Sequence, residues 1–307
     1  MKKGKKTLLV IAGPTAVGKT DLAILLAKQL KTEIISADSR QFFREMEIGT
    51  AKPSATALQE ASHHFINSHS ITETYDAAQF AKDAHSLLTK IFEYRDVCIL
   101  CGGSGLYIKA VCEGFDDIPA ISDDIRQSLI MKYESHGIEW LQAEMKKADP
   151  EYYEVLDRHN PHRLIRALEV KIGTGKSLSS FFAKEKSNPN FNTLKIGLEL
   201  PRDLLYEKID KRMDLMIGHG LFEEAKALIN FREHQALQTV GYKEIFDYLD
   251  GQYDLEEAIR LLKRNSRRYA KRQLTWFKKD KEFVWFDARN QEEILGYIDK
   301  HLTHSDE

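Results

Sequence analysis

Residues 7–20 read Thr7-Leu8-Leu9-Val10-Ile11-Ala12-Gly13-Pro14-Thr15-Ala16-Val17-Gly18-Lys19-Thr20, and apolar residues at helical spacing continue from there to Leu30. The unbroken run TLLVIA predicts a strand buried on both faces, as in a parallel sheet. The next eight residues match G-x-x-x-x-G-K-[ST] between strand and helix, the context in which that pattern cradles phosphate. Its glycines let backbone amides turn inward, and the helix N-terminus adds partial positive charge. Lys19 adds a full charge, and the Thr20 hydroxyl offers a ligand for Mg²⁺. Gly13 through Thr20 are therefore a phosphate-binding loop of the nucleotide- and ATP-binding type, with the phosphate compound left open.

Working outward, EIISA at 33–37, DVCILC at 96–101 and TLKIGLEL from Thr193 repeat the strand signature, and a helical stretch spans 75–94. Strands alternating with helices predict an α/β fold with a parallel, nucleotide-kinase-like sheet. Between Asp116 and Asn192 the pattern turns purely helical. SDDIRQSLIMKYESHGIEWLQAEMKK opens on an N-cap Ser122 with an acidic first turn, and HRLIRALEVKIG ends on Gly173. The expectation is a core of 1–116 and 193–307 with a helical insertion at 117–192. After Pro201 three helical segments are expected, the last of them basic, then an apolar FVWF at 283–286 and a frayed tail HSDE.

A chain of 307 residues has length for a core domain plus an appendage. Its 42% hydrophobic and 30% charged residues exclude collagen-like, low-complexity and wholly disordered classes. No apolar run approaches the roughly 18 residues of a membrane span. The basic start followed by an apolar stretch mimics a signal peptide, but a buried strand explains it better, so the expected setting is cytoplasmic. Cys98, Cys101 and Cys112 give no disulfide framework, and the CxxC of the first two lies within a strand-like run, where a redox pair lacks its helix N-terminus. His63, His64 and His69 have too little carboxylate or thiol company for a metal site.

The net charge of −2 conceals an asymmetry: residues 258–279 hold nine basic side chains and no acidic one, leaving −11 on the remainder. A basic stripe on an acidic body is the footprint of a polyanion, with a solvated helix face as the plain alternative. Asp38 closes the second strand, at the sheet edge where ligands bind, and suits a metal ligand, a general base or a helix cap. Gly102-Gly103-Ser104-Gly105 stands where an ATPase often carries a metal-binding Asp, which argues against a standard ATPase. Gly173-Thr174-Gly175-Lys176-Ser177 imitates the end of a second phosphate loop, but Val170 replaces its first Gly, so it reads as a helix end and turn.

Taken in order, GPTAVGKT, SADSRQFF, IGTAKP (48–53), GGSGLYIKA, DIRQSL, HNPHRLIRALEV (159–170), VGYKE (240–244) and YAKRQLTWF (269–277) resemble the tRNA dimethylallyltransferase, or tRNA isopentenyltransferase, family. The likeness runs from residue 8 to about 286; Ser104 stands where the family usually has Thr. The resemblance implies that the loop holds the diphosphate of dimethylallyl diphosphate. It implies transfer of the dimethylallyl group to N6 of adenosine-37, beside the tRNA anticodon, with Asp38 as general base. Lys19, Thr20 with Mg²⁺, and Arg212 would hold the diphosphate. Asp38, Ser39, Arg40, Gln41, Ser104, Arg126, His162, Arg163, Leu164, Ile165 and Arg166 correspond to tRNA-contacting positions. Lys271 and Arg272, with the aromatics Tyr269, Trp276 and Phe277, are candidates to grip the anticodon stem-loop by phosphate contact and stacking. The implied enzyme is a monomer. A nucleoside or nucleotide kinase would share the loop and Asp38 but leaves the basic helix unused, and an RNA-binding protein with a structural anion leaves Asp38 unexplained.

Overall fold

The computed structural model describes residues 6–114, 118–182 and 190–303. The chain divides into two compact units, one of Met1–Gly114 with Asn188–Glu307 and the other of Phe115–Ser187. Residues 116 and 117, where the insertion was expected to begin, and the tail HSDE lie outside the described residues.

In chain order the first unit opens with β1 (Thr7–Ala12), α1 (Lys19–Leu30), β2 (Ile34–Ser36), α2 (Ala55–Glu60), β3 (His63–His64), α3 (Ala77–Tyr94), β4 (Val97–Gly102) and α4 (Gly105–Glu113). The second unit holds α5 (Asp123–Ala148), α6 (Pro150–Val155) and α7 (Pro161–Thr174). The first unit resumes with β5 (Asn192–Glu199), α8 (Arg202–Gly218), α9 (Leu221–Ala227), α10 (Tyr242–Leu249), α11 (Leu255–Phe277), β6 (Val284–Asp287) and α12 (Gln291–Thr303).

All six strands are parallel, in the order β3-β2-β4-β1-β5-β6. Side chains alternate faces along each strand: Leu8, Val10 and Leu100 enter one core with α3, α4 and α10, while Leu9, Ile11 and Ile99 enter the other with α1 and α8. Cys98 and Cys101, three residues apart on β4, fall into these opposite cores, so the CxxC is a pair of strand residues that cannot meet. Burial pushes both thiols up to about 12.

Several expected boundaries move. Two short elements, α2 and β3, carry too little periodicity to be read, and four helices rather than three separate Pro201 from β6, which α12 then follows. Gly137 breaks α5 with φ 78°. Gly173 lies inside α7, and Gly175 at φ 73° is the left-handed cap, its amide donating to the Lys171 carbonyl. Ser122 is the N-cap of α5, yet its side chain donates to Asp124 rather than capping an amide. In the second unit, α5 and α7 enclose their own core of Leu129, Leu141, Met145, Leu164, Ile165 and Leu168.

Candidate active site

The carboxyl ends of three adjacent strands, β2, β4 and β1, carry Asp38, the Gly102–Gly105 turn and the Gly13–Thr20 loop, side by side. Their separation is set by close approach. A Cβ on Gly102 would lie 2.1 Å from the Ala37 carbonyl oxygen, and one on Gly13 would lie 2.6 Å from that of Leu198. The phosphate loop turns through positive φ at Gly13, Ala16 and Gly18 before α1 begins at Lys19.

Thr15, Ala16, Lys19, Thr20, Asp38 and Arg212 line one cavity. The same cavity has an apolar wall formed by Ile209, Met213 and Met216 of α8, Leu221 of α9 and Val240. These wall residues were missed in the sequence because they come from two helices and a loop with no motif spacing. Lys19 is half-buried; its Nζ donates to the Pro14 carbonyl at 2.7 Å. Burial pushes its pKa down to about 8, against the opposing pull of Asp38. Burial likewise lowers the Arg212 pKa, with Asp38 opposing, and among the described residues no carboxylate lies within ion-pair distance of Arg212. Two cations held this way, with no anion of their own, form a cradle for an external anion.

Asp38 is half-buried and caps no helix. Its Oδ1 accepts from the Arg40 amide at 3.0 Å, closing a turn, while among the described residues Oδ2 has no hydrogen-bond partner. One oxygen is thus fixed and the other is available. Ser104 is buried; its Oγ accepts from the Ser39 amide at 2.8 Å and its own amide donates to the Ala37 carbonyl at 3.2 Å. Gln41 donates to the Thr50 and Ala51 carbonyls and accepts from Ser36. Ser104 and Gln41, expected to touch RNA, are thus committed to shaping the wall around Asp38. Arg40 lies in the same wall with its Nε buried and unpaired among the described residues, and burial lowers its pKa.

The start of the IGTAKP turn is held by a side chain of α9. Glu224 of α9 accepts from the amides of Glu47, Ile48 and Gly49 at 2.8–2.9 Å and from the Tyr242 hydroxyl at 2.6 Å. The Tyr242 ring fills the space a Cβ on Gly49 would need, 2.6 Å away. Glu244 of VGYKE reaches back to the Gly241 amide and receives Asn265 of α11.

On α11, the residues Ser266, Tyr269 and Gln273 face the cavity. Burial and the nearby Asp38 push the Tyr269 hydroxyl up to about 12. Phe277 is core, edge-on to Phe283 at 5.5 Å, and so is not available for stacking on RNA. Trp276 is 41% exposed and lies over Gly105, where a Cβ would come within 2.1 Å of its ring. The stripe is less basic than its composition: Arg260, Lys263, Arg267 and Lys278 pair with Glu257, Asp214, Asp210 and Glu199. Arg264, Arg268, Lys271, Arg272 and Lys279 form no ion pair among the described residues; the first four share one face of α11 at helical spacing, with the Arg272 guanidinium 5.7 Å from the Tyr269 ring.

In the second unit, Arg126 and Arg166 converge on the buried carboxylate of Glu169, Arg126 at 2.8 Å. Both guanidiniums remain partly exposed, and His162 and Arg163 are exposed. Leu164 and Ile165 are 0% and 4% exposed, so their side chains build the core of that unit. His64 pairs with Glu33, and His63 lines the cavity. Among the described residues no helix is long and apolar enough to cross a membrane.

Residues 41–280 match the model of the IPP transferase family. A tRNA dimethylallyltransferase of Christiangramia forsetii is 51% identical over 297 residues, 96% of this chain and 98% of the relative; one of Cytophaga hutchinsonii is 49% identical. The crystal structure of a tRNA isopentenylpyrophosphate transferase of Bacillus halodurans superposes with a TM-score of 0.72 at 41% identity, covering 98% of both chains. A eukaryotic dimethylallyltransferase described as acting on tRNA superposes with a TM-score of 0.76 at 26% identity, over 92% of this chain and 74% of that one. With a phosphate loop, a half-free carboxylate and an apolar wall in one cavity, and relatives alike over nearly its whole length, the chain belongs to the IPP transferase family of tRNA dimethylallyltransferases.

Proposed function

We propose that the enzyme transfers the dimethylallyl group of dimethylallyl diphosphate to N6 of adenosine-37 of tRNA, acting as a monomer in the cytoplasm. The observation that carries this reading is the cavity itself, which is lined together by two unpaired cations, the Gly13–Thr20 turn, a carboxylate with one oxygen unpartnered among the described residues, and the apolar side chains of Ile209, Met213, Met216 and Leu221. A prenyl diphosphate has that polarity, an anionic head on a short branched hydrocarbon. A nucleoside triphosphate would set a polar ribose against Met213, Met216 and Leu221, a poor match for the kinase alternative.

In the proposed reaction the N6 lone pair forms a bond to the allylic carbon as the carbon–oxygen bond to diphosphate breaks. The amine proton passes to Asp38 Oδ2, and the diphosphate leaves with the electron pair. Lys19, Arg212 and the loop amides meet the charge that grows on the leaving group, where such groups lower a barrier most. Asp38 is kept aimed by the Arg40 amide on its other oxygen. Thr20 Oγ1 lines the cavity with no hydrogen-bond partner among the described residues and supplies a hard oxygen donor that fits Mg²⁺. Bound there, Mg²⁺ would add positive charge at the diphosphate. The described residues hold no cluster of three His, Cys, Asp or Glu, so such an ion would depend on substrate oxygens for much of its shell.

The target adenine must leave its stack to reach Asp38, at a cost of a few kcal/mol. Exposed Arg268, Lys271, Arg272 and Trp276 on α11 are placed to offset that cost through phosphate contact and stacking. The test is incubation with labelled dimethylallyl diphosphate and tRNA, beside labelled ATP with nucleosides. Label appearing at N6 of adenosine-37 is expected; phosphorylated nucleoside instead would overturn the reading.

A further inference from the structure

Gln273 is the one polar side chain on the α11 stripe of Leu262, Ser266, Ala270, Gln273 and Phe277 whose amide group is used at both ends. It is 7% exposed. Its Oε1 accepts from the Thr15 amide of the phosphate loop at 2.9 Å, and its Nε2 donates to the Gly103 carbonyl at 2.9 Å. Gly103 is shaped to receive it, since a Cβ there would fall 2.3 Å from Nε2.

We infer that Gln273 is a positioning residue for diphosphate binding, holding the Thr15 amide so that the loop stays wound around its anion. The loop gains nothing from its own backbone at that point. Thr15 precedes Ala16, whose φ of 64° is a conformation that costs a non-glycine residue free energy and persists only where neighbours enforce it. Between the strand end and α1, the Gln273 bond is the side-chain bond that fixes the loop immediately before that strained residue. The second bond, to Gly103, anchors the same amide group to the turn whose next residue, Ser104, holds Ser39 beside Asp38. One side chain, from a helix whose opposite face is cationic, thus bridges the loop of the leaving-group cradle and the turn beside the base. Gln273 touches neither reacting atom; it acts through Thr15.

The inference rests on the proposed reading of the loop as a diphosphate site, and the experiment separates the two. The full chain and its Gln273→Met variant are compared for inorganic pyrophosphate affinity by calorimetry, for affinity to an anticodon stem-loop RNA by filter binding, and for melting temperature. Gly103→Ala, which displaces the amide group without altering α11, provides the same comparison should Gln273→Met fail to fold. The expected result is a roughly tenfold loss of pyrophosphate affinity, the scale of one buried hydrogen bond with its strain. Stem-loop affinity should stay within about twofold, since the outer face of α11 is untouched. Thr15 amide exchange should quicken in either variant. Unchanged pyrophosphate affinity overturns the inference, as does a parallel loss of both affinities with a lowered melting temperature, which marks a packing residue. A parent protein that binds no pyrophosphate overturns the functional reading and this inference with it.

Discussion

A carboxylate with one oxygen pinned and the other open behaves differently from its amide. Asp38→Asn keeps the shape and an acceptor for the Arg40 amide but cannot take a proton. Single-turnover transfer at saturating substrates should fall by about 10² to 10⁴, with donor and RNA affinities much less changed. A near-parental rate would remove Asp38 from the chemistry. Lys19 makes a second prediction. Its pKa is pushed down to about 8, so below that value the cradle carries the full charge and above it the free protein loses that charge. Donor affinity should therefore decline as pH rises past about 8, with proton uptake on binding there, seen by calorimetry in buffers of different ionisation heat. Lys19→Arg, which stays protonated, should flatten the decline; a Lys19→Arg profile matching the parent would assign the titration elsewhere. Lys19 and Thr20 are readable in the sequence because a strand-loop-helix motif fixes local geometry over a few residues, and Asp38 because it closes an apolar strand run. Gln273, 258 residues from the Thr15 amide it holds, is not.

At the scale of elements, α11 divides into faces with different tasks. Counting its charges overstates its capacity for phosphate, because three of its seven basic residues are already paired with acidic neighbours. Neutralising Lys271 and Arg272 together should lower tRNA affinity and make the log-log salt dependence shallower by about 1 for each phosphate the two side chains neutralise. Neutralising Arg267, paired to Asp210 at 2.5 Å, should leave that slope unchanged. Equal slopes for the two sets of variants would mean that pairing does not decide which residues meet RNA. The hold of α9 on IGTAKP has the same character. Glu224→Gln turns one of the two accepting oxygens into an NH2 donor, leaving at least one of the three backbone amides without its acceptor, and should cost about 1–3 kcal/mol of stability in denaturant melts.

Across the whole molecule, every group in the cavity comes from the unit that contains the sheet, while the helical unit has its own core. Leu164 is fully buried there, and Leu164→Ala should cost about 2–5 kcal/mol, a large share of what a unit of that size can hold. The expected outcome is early loss of protection in residues 118–182 by hydrogen exchange, with pyrophosphate binding retained. Loss of pyrophosphate binding in step with that unit would show that the two units fold as one.

The sequence alone determined the sheet core, the turn of Gly13–Thr20 between β1 and α1, and the position of Asp38 beyond β2, because each depends on residues adjacent in the chain: unbroken apolar runs, a glycine pattern and a strand end. It also carried the family, through motifs whose order survives whatever their packing. Only the tertiary structure decided which charges of α11 remain unpaired, that Leu164 and Ile165 serve the core, that Ser104 and Gln41 brace the wall around Asp38, and that Glu224 and Gln273 hold two loops. Those roles depend on partners far apart in sequence. Composition fixes how many charges and amides a chain has, and packing fixes which of them are left to meet a ligand.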